Sequence, residues 1–90
     1  MNQTNVGVIL SGAGYLDGAE IQEATLTLYF LDRMGVNVEC FSVDQDQHHV
    51  VDHKISEPVE GTRNVLAESA RIARGRVADI ETADIDQLDA

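Results

Sequence analysis

Residues 6–23 carry the pattern that most constrains the fold: an apolar run that gives way to glycines and then to an acidic helix start. The run over 6–10 contains no polar side chain, which is typical of a strand covered on both faces, as in a parallel sheet. Gly12, Gly14 and Gly18 follow and permit a tight loop that another group can approach closely. Ligands of α/β proteins bind where a strand passes through such a loop into a helix, so this loop is the first candidate site.

A helix and a second strand are predicted after the loop. Asp17 is placed to cap a helix over 18–34, and a glutamate three residues later completes an approximate capping box. Gly35 provides a left-handed ending for this helix, and residues 36–43 alternate as a strand. Together with a first strand over 5–11, these elements predict a right-handed β-α-β unit with parallel strands.

Apolar side chains surround most of the predicted first helix. One stripe is expected to face the core, while further apolar residues occupy the rest of the circumference. A surface helix normally keeps one polar face, so we expect a second cover over this helix, supplied by more chain or by another subunit. The core-facing set is Ile21, Ala24, Leu28 and Leu31, and the second set is Leu26, Tyr29 and Phe30.

The second half of the chain predicts fewer regular elements. Residues 49–55 alternate weakly as a short edge strand, and the proline and glycine within 57–61 indicate a turn. Thr62 is expected to cap a second helix that runs to about residue 74, where Gly75 stops it. In residues 78–90 every charged side chain is acidic, and we expect either a solvated tail or one short helix there.

These elements define the predicted fold class. Two or three parallel strands with two helices form an incomplete layer structure, because a parallel sheet normally has more strands and helices on both faces. The prediction is therefore an α/β fold with a mostly parallel sheet, of which residues 1–90 form the N-terminal portion.

Composition argues against several classes of partner. The 90 residues carry 6 Lys and Arg against 16 Asp and Glu, and the resulting net charge of −10 disfavours nucleic acid and anionic membranes. A single cysteine excludes an intrachain disulfide, and no apolar run approaches the roughly 18–20 residues of a membrane helix. The first residues lack the basic flank and apolar core of a signal peptide. We therefore expect a soluble cytoplasmic protein.

The glycine loop has two interpretations from its residues alone. Gly12 and Gly14 follow a strand, and Asp44 ends the second strand, which allows a nucleotide-binding β-α-β unit. The third glycine comes one residue late at Gly18, however, and the preceding Asp17 would repel a pyrophosphate at the helix start. A tight turn without a ligand is the alternative.

Glu23 is a candidate catalytic residue. It has no basic neighbour three or four positions away on the predicted helix, so something outside the helix should explain it. A carboxylate one turn into a helix beside an apolar sheet can hydrogen-bond a nucleophile. A solvated glutamate is the alternative.

The remaining candidates for chemistry are one thiol and three imidazoles. Cys40 lies inside a predicted strand without the electropositive setting of a reactive thiolate, so we interpret it as a small core residue. His48, His49 and His53 lie close in sequence but lack the complete ligand set of a zinc site. No metal or other cofactor is predicted.

Four segments carry a family resemblance that covers nearly the whole chain. They are Gly-Val-Ile-Leu-Ser-Gly-x-Gly at 7–14, Asp-Gly-x-Glu-Ile-x-Glu-Ala at 17–24, Leu-Asp-Arg-x-Gly at 31–35, and Thr-Arg-Asn-Val-Leu-x-Glu-Ser-Ala-Arg-Ile-Ala-Arg-Gly at 62–75. With these segments the chain resembles the ElbB group of isoprenoid-biosynthesis, or "enhancing lycopene biosynthesis", proteins. That group is similar to the ThiJ/PfpI branch of the class I glutamine amidotransferase-like superfamily.

The resemblance implies a flavodoxin-like sandwich and glyoxalase-type chemistry, in which a cysteine attacks an α-oxoaldehyde such as glyoxal or methylglyoxal. The glutamate that contacts this cysteine falls on Glu23, and Gly12, Gly14 and Asn64 fall at substrate-binding positions. Cys40 matches a strand position and not the nucleophile, so this chain lacks the nucleophile and is expected to be inactive alone.

The partner implied by the resemblance is the remaining C-terminal half or a second subunit, in a homo-oligomer that acts on a small carbonyl substrate. A non-catalytic homodimerising interaction module is the alternative function. A nucleotide-binding β-α-β unit is a weaker one.

Overall fold

Three parallel strands form the centre of the molecule, which is seen here as a computed structural model describing residues 3–90. They are β1 (Asn5–Ile9), β2 (Asn37–Ser42) and β5 (Val77–Asp79), in the sheet order β1-β2-β5. Helix α1 (Ile21–Arg33) connects the first pair, and α2 (Val65–Ala73) leads into the third strand. The predicted α/β fold with a mostly parallel sheet is confirmed, and the helices of this unit contact each other over β2.

Helix α1 begins three residues later than the sequence indicates. Its N-cap is Glu20, whose carboxylate accepts a hydrogen bond from the backbone nitrogen of Glu23 at 2.6 Å. The predicted cap, Asp17, instead accepts a hydrogen bond at 2.8 Å from the backbone nitrogen of Val51, in a distant loop. Because its carboxylate is used there, residues 13–20 stay in a loop that closes on itself through the bond from Ala19 N to Ser11 O.

Helix α2 also begins later than predicted, since Asn64 and not Thr62 is its N-cap. The Asn64 Oδ1 atom accepts a hydrogen bond from Ala67 N at 2.8 Å. The residue before it, Arg63, is held outside the helix because its carbonyl accepts from Gln47 N. The helix ends as expected, with Arg74 in the left-handed conformation.

Residues 49–59 form a small hairpin and not an edge strand of the main sheet. Strand β3 (Val51–Asp52) pairs antiparallel with β4 (Glu57–Pro58), which lies in a segment predicted as a turn. Proline has no backbone N–H, so the pairing stays two residues long. The hairpin lies over the glycine loop, to which the Val51–Asp17 hydrogen bond ties it.

Residues 80–90 are neither a tail nor a single α-helix. They form two 3₁₀ turns, Ile80–Thr82 and Ile85–Gln87, and the last residues then return to β1. The backbone nitrogen of Gly7 donates to the carbonyl of Ala90 at 2.8 Å, on the side of β1 away from β2. This segment covers part of the second face of the sheet, where a Cβ on Gly7 would lie 2.9 Å from Leu88.

The buried core is small, and much of α1 is uncovered. Leu10, Ala24, Phe41 and Val65 are the buried apolar residues in the described part of the chain. Ile21, predicted to face the core, is 50% exposed because the first turn of α1 borders an open cleft. The second apolar set on α1 is exposed as expected: Leu26, Tyr29 and Phe30 are each at least half exposed. Neither described helix is long and apolar enough to cross a bilayer.

Candidate functional site

An open cleft of about 460 Å³ lies beside the glycine loop, at the carboxyl end of β1. Its walls are the loop itself, the first residues of α1, the β3–β4 hairpin and the start of α2. This placement is the usual one for ligand sites in α/β folds. Seven ionisable side chains border it: Tyr15, Asp17, Glu20, His53, Arg63, Glu68 and Arg71.

Gly12 and Gly14 shape the loop beside this cleft, and the backbone N–H groups of both are already hydrogen-bonded. Gly12 has φ +75°, and its N–H donates to the hydroxyl of Ser69 at 2.8 Å. Gly14 has φ +153°, and its N–H donates to Ala19 O at 2.8 Å. A Cβ at Gly14 would collide with the Asp17 carboxylate and press on the ring of His53. Gly14 borders the cleft, whereas Gly12 lies behind it.

Asp17 and His53 meet at the floor of the cleft. The Asp17 side chain is 5% exposed, and its Oδ2 accepts from Val51 N, but its Oδ1 has no hydrogen-bond partner in the described structure. The Nε2 atom of His53 lies 3.6 Å from Oδ1. The same Nε2 makes a hydrogen bond with the carbonyl of Tyr15. His53 is therefore fixed between two oxygen atoms of the loop.

Two arginines share one carboxylate on the opposite wall. The Nη1 atoms of Arg63 and Arg71 lie 3.0 Å and 3.2 Å from the same Glu68 oxygen. Both guanidinium groups are about half exposed or more, so these ion pairs contribute little to stability. Within residues 3–90 the other N–H groups of both guanidinium groups make no hydrogen bond.

The other predicted site residues stand around this cleft without lining it. Glu23 is exposed in the first turn of α1, one residue after Gln22, which borders the cleft. Within residues 3–90 no hydrogen bond or ion pair involves its carboxylate. Asn64 lies at the start of α2, where Nδ2 donates to Asp44 at 2.8 Å while Oδ1 caps the helix.

Cys40 and the remaining histidines lie elsewhere. Cys40 sits on β2 between Val8 and Val77, and burial raises the pKa of its thiol. Its side chain is thus a neutral thiol at pH 7, as the sequence indicated. The rings of His48 and His49 contact each other with centroids 4.2 Å apart. No three His, Cys, Asp or Glu side chains gather as metal ligands within residues 3–90.

Comparison with known proteins identifies the relatives of this fold. No family model matches the chain. The human protein "Glutamine amidotransferase-like class 1 domain-containing protein 3, mitochondrial" is 51% identical over 76 residues, which are 83% of this chain and 28% of that protein. The Danio rerio "ES1 protein, mitochondrial" is 40% identical over 88 residues, 97% of this chain and 32% of that protein.

A solved structure agrees in both sequence and fold. The crystal structure of an isoprenoid biosynthesis protein with an amidotransferase-like domain from Ehrlichia chaffeensis superposes with a TM-score of 0.92 at 52% identity. The match covers 94% of this chain and 40% of that one. Over most of its length the chain is similar to the ElbB-like, class I glutamine amidotransferase-like proteins.

This ElbB-like chain spans about a third of the length of the curated relatives it matches, between 28% and 32%. Strands β1, β2 and β5 and both helices are the part of the family fold that it contains.

Two residues of the ElbB-like cleft were missed as a pair. The sequence predicts Asp17 as a helix cap and assigns no role to His53, because each is judged against its sequence neighbours. Their contact forms only when the hairpin folds back over the loop. The Val51–Asp17 hydrogen bond, between residues 34 apart in sequence, shows this arrangement. The only hint of this pair in the sequence is Gly14, because a residue without a Cβ lets an acid and an imidazole approach the backbone closely.

Proposed function

We propose that this chain supplies one wall of a glyoxalase-type active site, in which a cysteine outside these 90 residues attacks a small α-oxoaldehyde such as glyoxal or methylglyoxal. The cleft at the carboxyl end of β1 carries the proposal, because it joins a glycine loop to acid–base side chains in an ElbB-like fold. Cys40, with its raised pKa and strand position, is not the nucleophile. The chain alone is therefore expected to be inactive as a lyase.

Glu23 is the carboxylate that we assign to orient the nucleophile. Three observations support it: its position in the first turn of α1 next to the cleft, its exposure, and its lack of an ion-pair partner within residues 3–90. A carboxylate placed so can accept a hydrogen bond from a thiol supplied by another segment. Gly14 would border the substrate, with Gly12 and Asn64 holding the loop and helix behind it.

A chimera tests this proposal. The matching stretch of the Ehrlichia chaffeensis protein is replaced by this chain, and consumption of glyoxal and methylglyoxal is followed. We expect the chimera to consume them, the 90-residue chain to consume neither, and Glu23→Gln to lower kcat/KM of the chimera by roughly 100-fold.

Glu39→Gln is the matched control, because Glu39 is an exposed carboxylate on β2 away from the cleft. It should leave consumption unchanged. A folded chimera that consumes no α-oxoaldehyde would refute the proposal. Turnover by the 90-residue chain that disappears in Cys40→Ser would refute the assignment of the nucleophile to another segment.

A homodimerising module is the second candidate, and the exposed face of α1 favours it. Leu26, Tyr29, Phe30 and Met34 form one stripe with exposures between 50% and 72%. Sedimentation equilibrium of the chain tests this candidate. A dimer that becomes a monomer in Phe30→Glu would support the module. Thr25→Glu, on the flank of the stripe, is the control and should leave the dimer intact. A monomer at all concentrations removes it.

The compartment is also a proposal. The net charge of −10 supports neither a nucleic-acid nor a membrane partner, and we place the chain in the cytoplasm. The names of the human and Danio rerio relatives describe those two proteins as mitochondrial.

A further inference from the structure

His53 is held in one tautomer by its surroundings. Its Nε2 atom faces the carbonyl oxygen of Tyr15 and, at 3.6 Å, the Oδ1 atom of Asp17. Both are acceptors when the aspartate is ionised, so Nε2 must carry the hydrogen. Nδ1 is then the nitrogen with the free lone pair, and the imidazole can take up a proton only there.

Asp17 places a buried carboxylate beside this ring. Its carboxylate is 5% exposed, and Oδ1 lacks a hydrogen-bond partner in the described structure. A buried anion with an unsatisfied oxygen gains from a positive charge beside it. An imidazolium at His53 would supply this charge at 3.6 Å, as in other carboxylate–histidine pairs where the acid fixes the tautomer and offsets the imidazolium.

The imidazole is also reachable from the cleft. The His53 side chain is 46% exposed and borders the same space as Gly14 and the start of α1. Gly14 permits this position, because a Cβ there would lie 3.3 Å from the ring. A small ligand in the cleft can therefore contact the ring of His53.

We propose that His53 is an acid–base residue that dehydrates the gem-diol form of an α-oxoaldehyde bound in the cleft, with Asp17 as its positioning residue. The proposal rests on the proposed function, since it takes the same substrate class. An α-oxoaldehyde in water is present largely as its hydrate, whereas a thiol attacks the free carbonyl. Dehydration is thus the reaction that must supply the nucleophile with its substrate.

The step leaves the protein unchanged. Nδ1 accepts the proton of one hydroxyl of the diol as that oxygen forms the C=O double bond. The C–O bond to the other hydroxyl breaks with its electron pair, and the imidazolium returns the proton to the departing oxygen. The diol becomes an aldehyde and one water, and His53 is again neutral.

Exchange between hydrated and free methylglyoxal, measured by NMR saturation transfer with the 90-residue chain, tests this step without any nucleophile. We expect exchange faster than with the same concentration of imidazole. His53→Gln should lower the protein-catalysed rate by roughly 100-fold. Asp17→Asn retains an oxygen for Val51 N but removes the negative charge, so it should lower the rate while the chain stays folded.

His49→Gln is the matched control, because it removes an exposed imidazole of the same loop region that does not border this cleft. It should leave the rate unchanged. Exchange no faster than with imidazole, or an equal loss in His49→Gln and His53→Gln, would overturn the proposal.

The tautomer is a second measurement that needs no variant. Nitrogen-15 NMR of the chain should show the neutral His53 ring protonated at Nε2, and a ring protonated at Nδ1 would overturn the proposal. These outcomes are independent of the chimera. A chimera without glyoxalase activity beside a chain that catalyses dehydration refutes the proposed function alone, and the reverse refutes the role of His53 alone.

Discussion

The hydroxyl oxygen of Ser69 accepts a hydrogen bond from the backbone nitrogen of Gly12 at 2.8 Å, in a fully buried position. The same hydroxyl donates to Val65 O at 2.7 Å and lies 2.8 Å from the hydroxyl of Ser42. Ser42 is buried as well, and its hydroxyl donates to Leu10 O. A side chain of α2 thus fixes the glycine loop and the end of β2 at one point. The walls of the cleft are positioned by this contact.

Ser69→Ala should therefore destabilise the fold well beyond the loss of one oxygen atom. It leaves the buried N–H of Gly12 without an acceptor, and an unsatisfied buried donor costs about 1–3 kcal/mol of unfolding free energy. Urea denaturation measures the change. Ser11→Ala, which alters an exposed serine at the start of the same loop, should stay within about 0.5 kcal/mol of the unmodified chain. Equal effects of the two substitutions would show that the buried hydroxyl does not fix the loop.

Gly14→Ala should cost more than Gly35→Ala, although both glycines have positive φ. At Gly35, with φ +74°, an added Cβ meets nothing within 4 Å, so only backbone strain of about 1–2 kcal/mol is expected. At Gly14 the Cβ also meets the Asp17 carboxylate and the His53 ring. Urea denaturation of both variants separates strain from collision. The same cost for the two would mean that the loop moves freely away from His53.

Asn64→Ala should destabilise α2 by about 0.5–2 kcal/mol, because it removes the acceptor that caps Ala67 N. Asn64→Ser keeps a capping oxygen and loses only the exposed contact to Asp44, so it should recover most of this free energy. Thermal or urea unfolding compares the two. If serine is as damaging as alanine, the contact with Asp44 and not the cap holds the start of α2.

The sequence alone predicts the helices and strands that are determined by residues close to one another in the chain. The apolar run before Gly12 and the left-handed ending at Gly35 predict β1, α1 and their parallel connection, because periodicity and turn residues act over a few positions. The predicted start of α1 is wrong because the sequence assigns Asp17 to the nearest helix. In the structure its carboxylate instead accepts a hydrogen bond from Val51 N in the hairpin, 34 residues away. The same reason explains the missed pairing with His53. Contacts of this range depend on the folded topology and leave no periodic signal.

The pH dependence of stability gives a final prediction, which concerns Cys40. Burial raises the pKa of this thiol above its ordinary value of 9.0, so the folded chain holds the thiol proton more tightly than the unfolded chain does. Its contribution to the unfolding free energy is then fully present below pH 9.0 and is lost as pH rises through the higher folded pKa.

Urea denaturation between pH 7 and pH 11 measures this loss as the difference between the unmodified chain and Cys40→Ala, because the two chains differ in no other ionisable group. The alanine variant starts from a lower free energy, since a half-buried side chain is shortened, but it should fall less steeply at high pH. The same burial predicts that a thiol reagent modifies Cys40 slowly at pH 7 in the folded chain and faster in urea. Parallel pH profiles for the two chains, or rapid modification of the folded one, would mean that the thiol is not held neutral, and a nucleophilic role on β2 would have to be considered again.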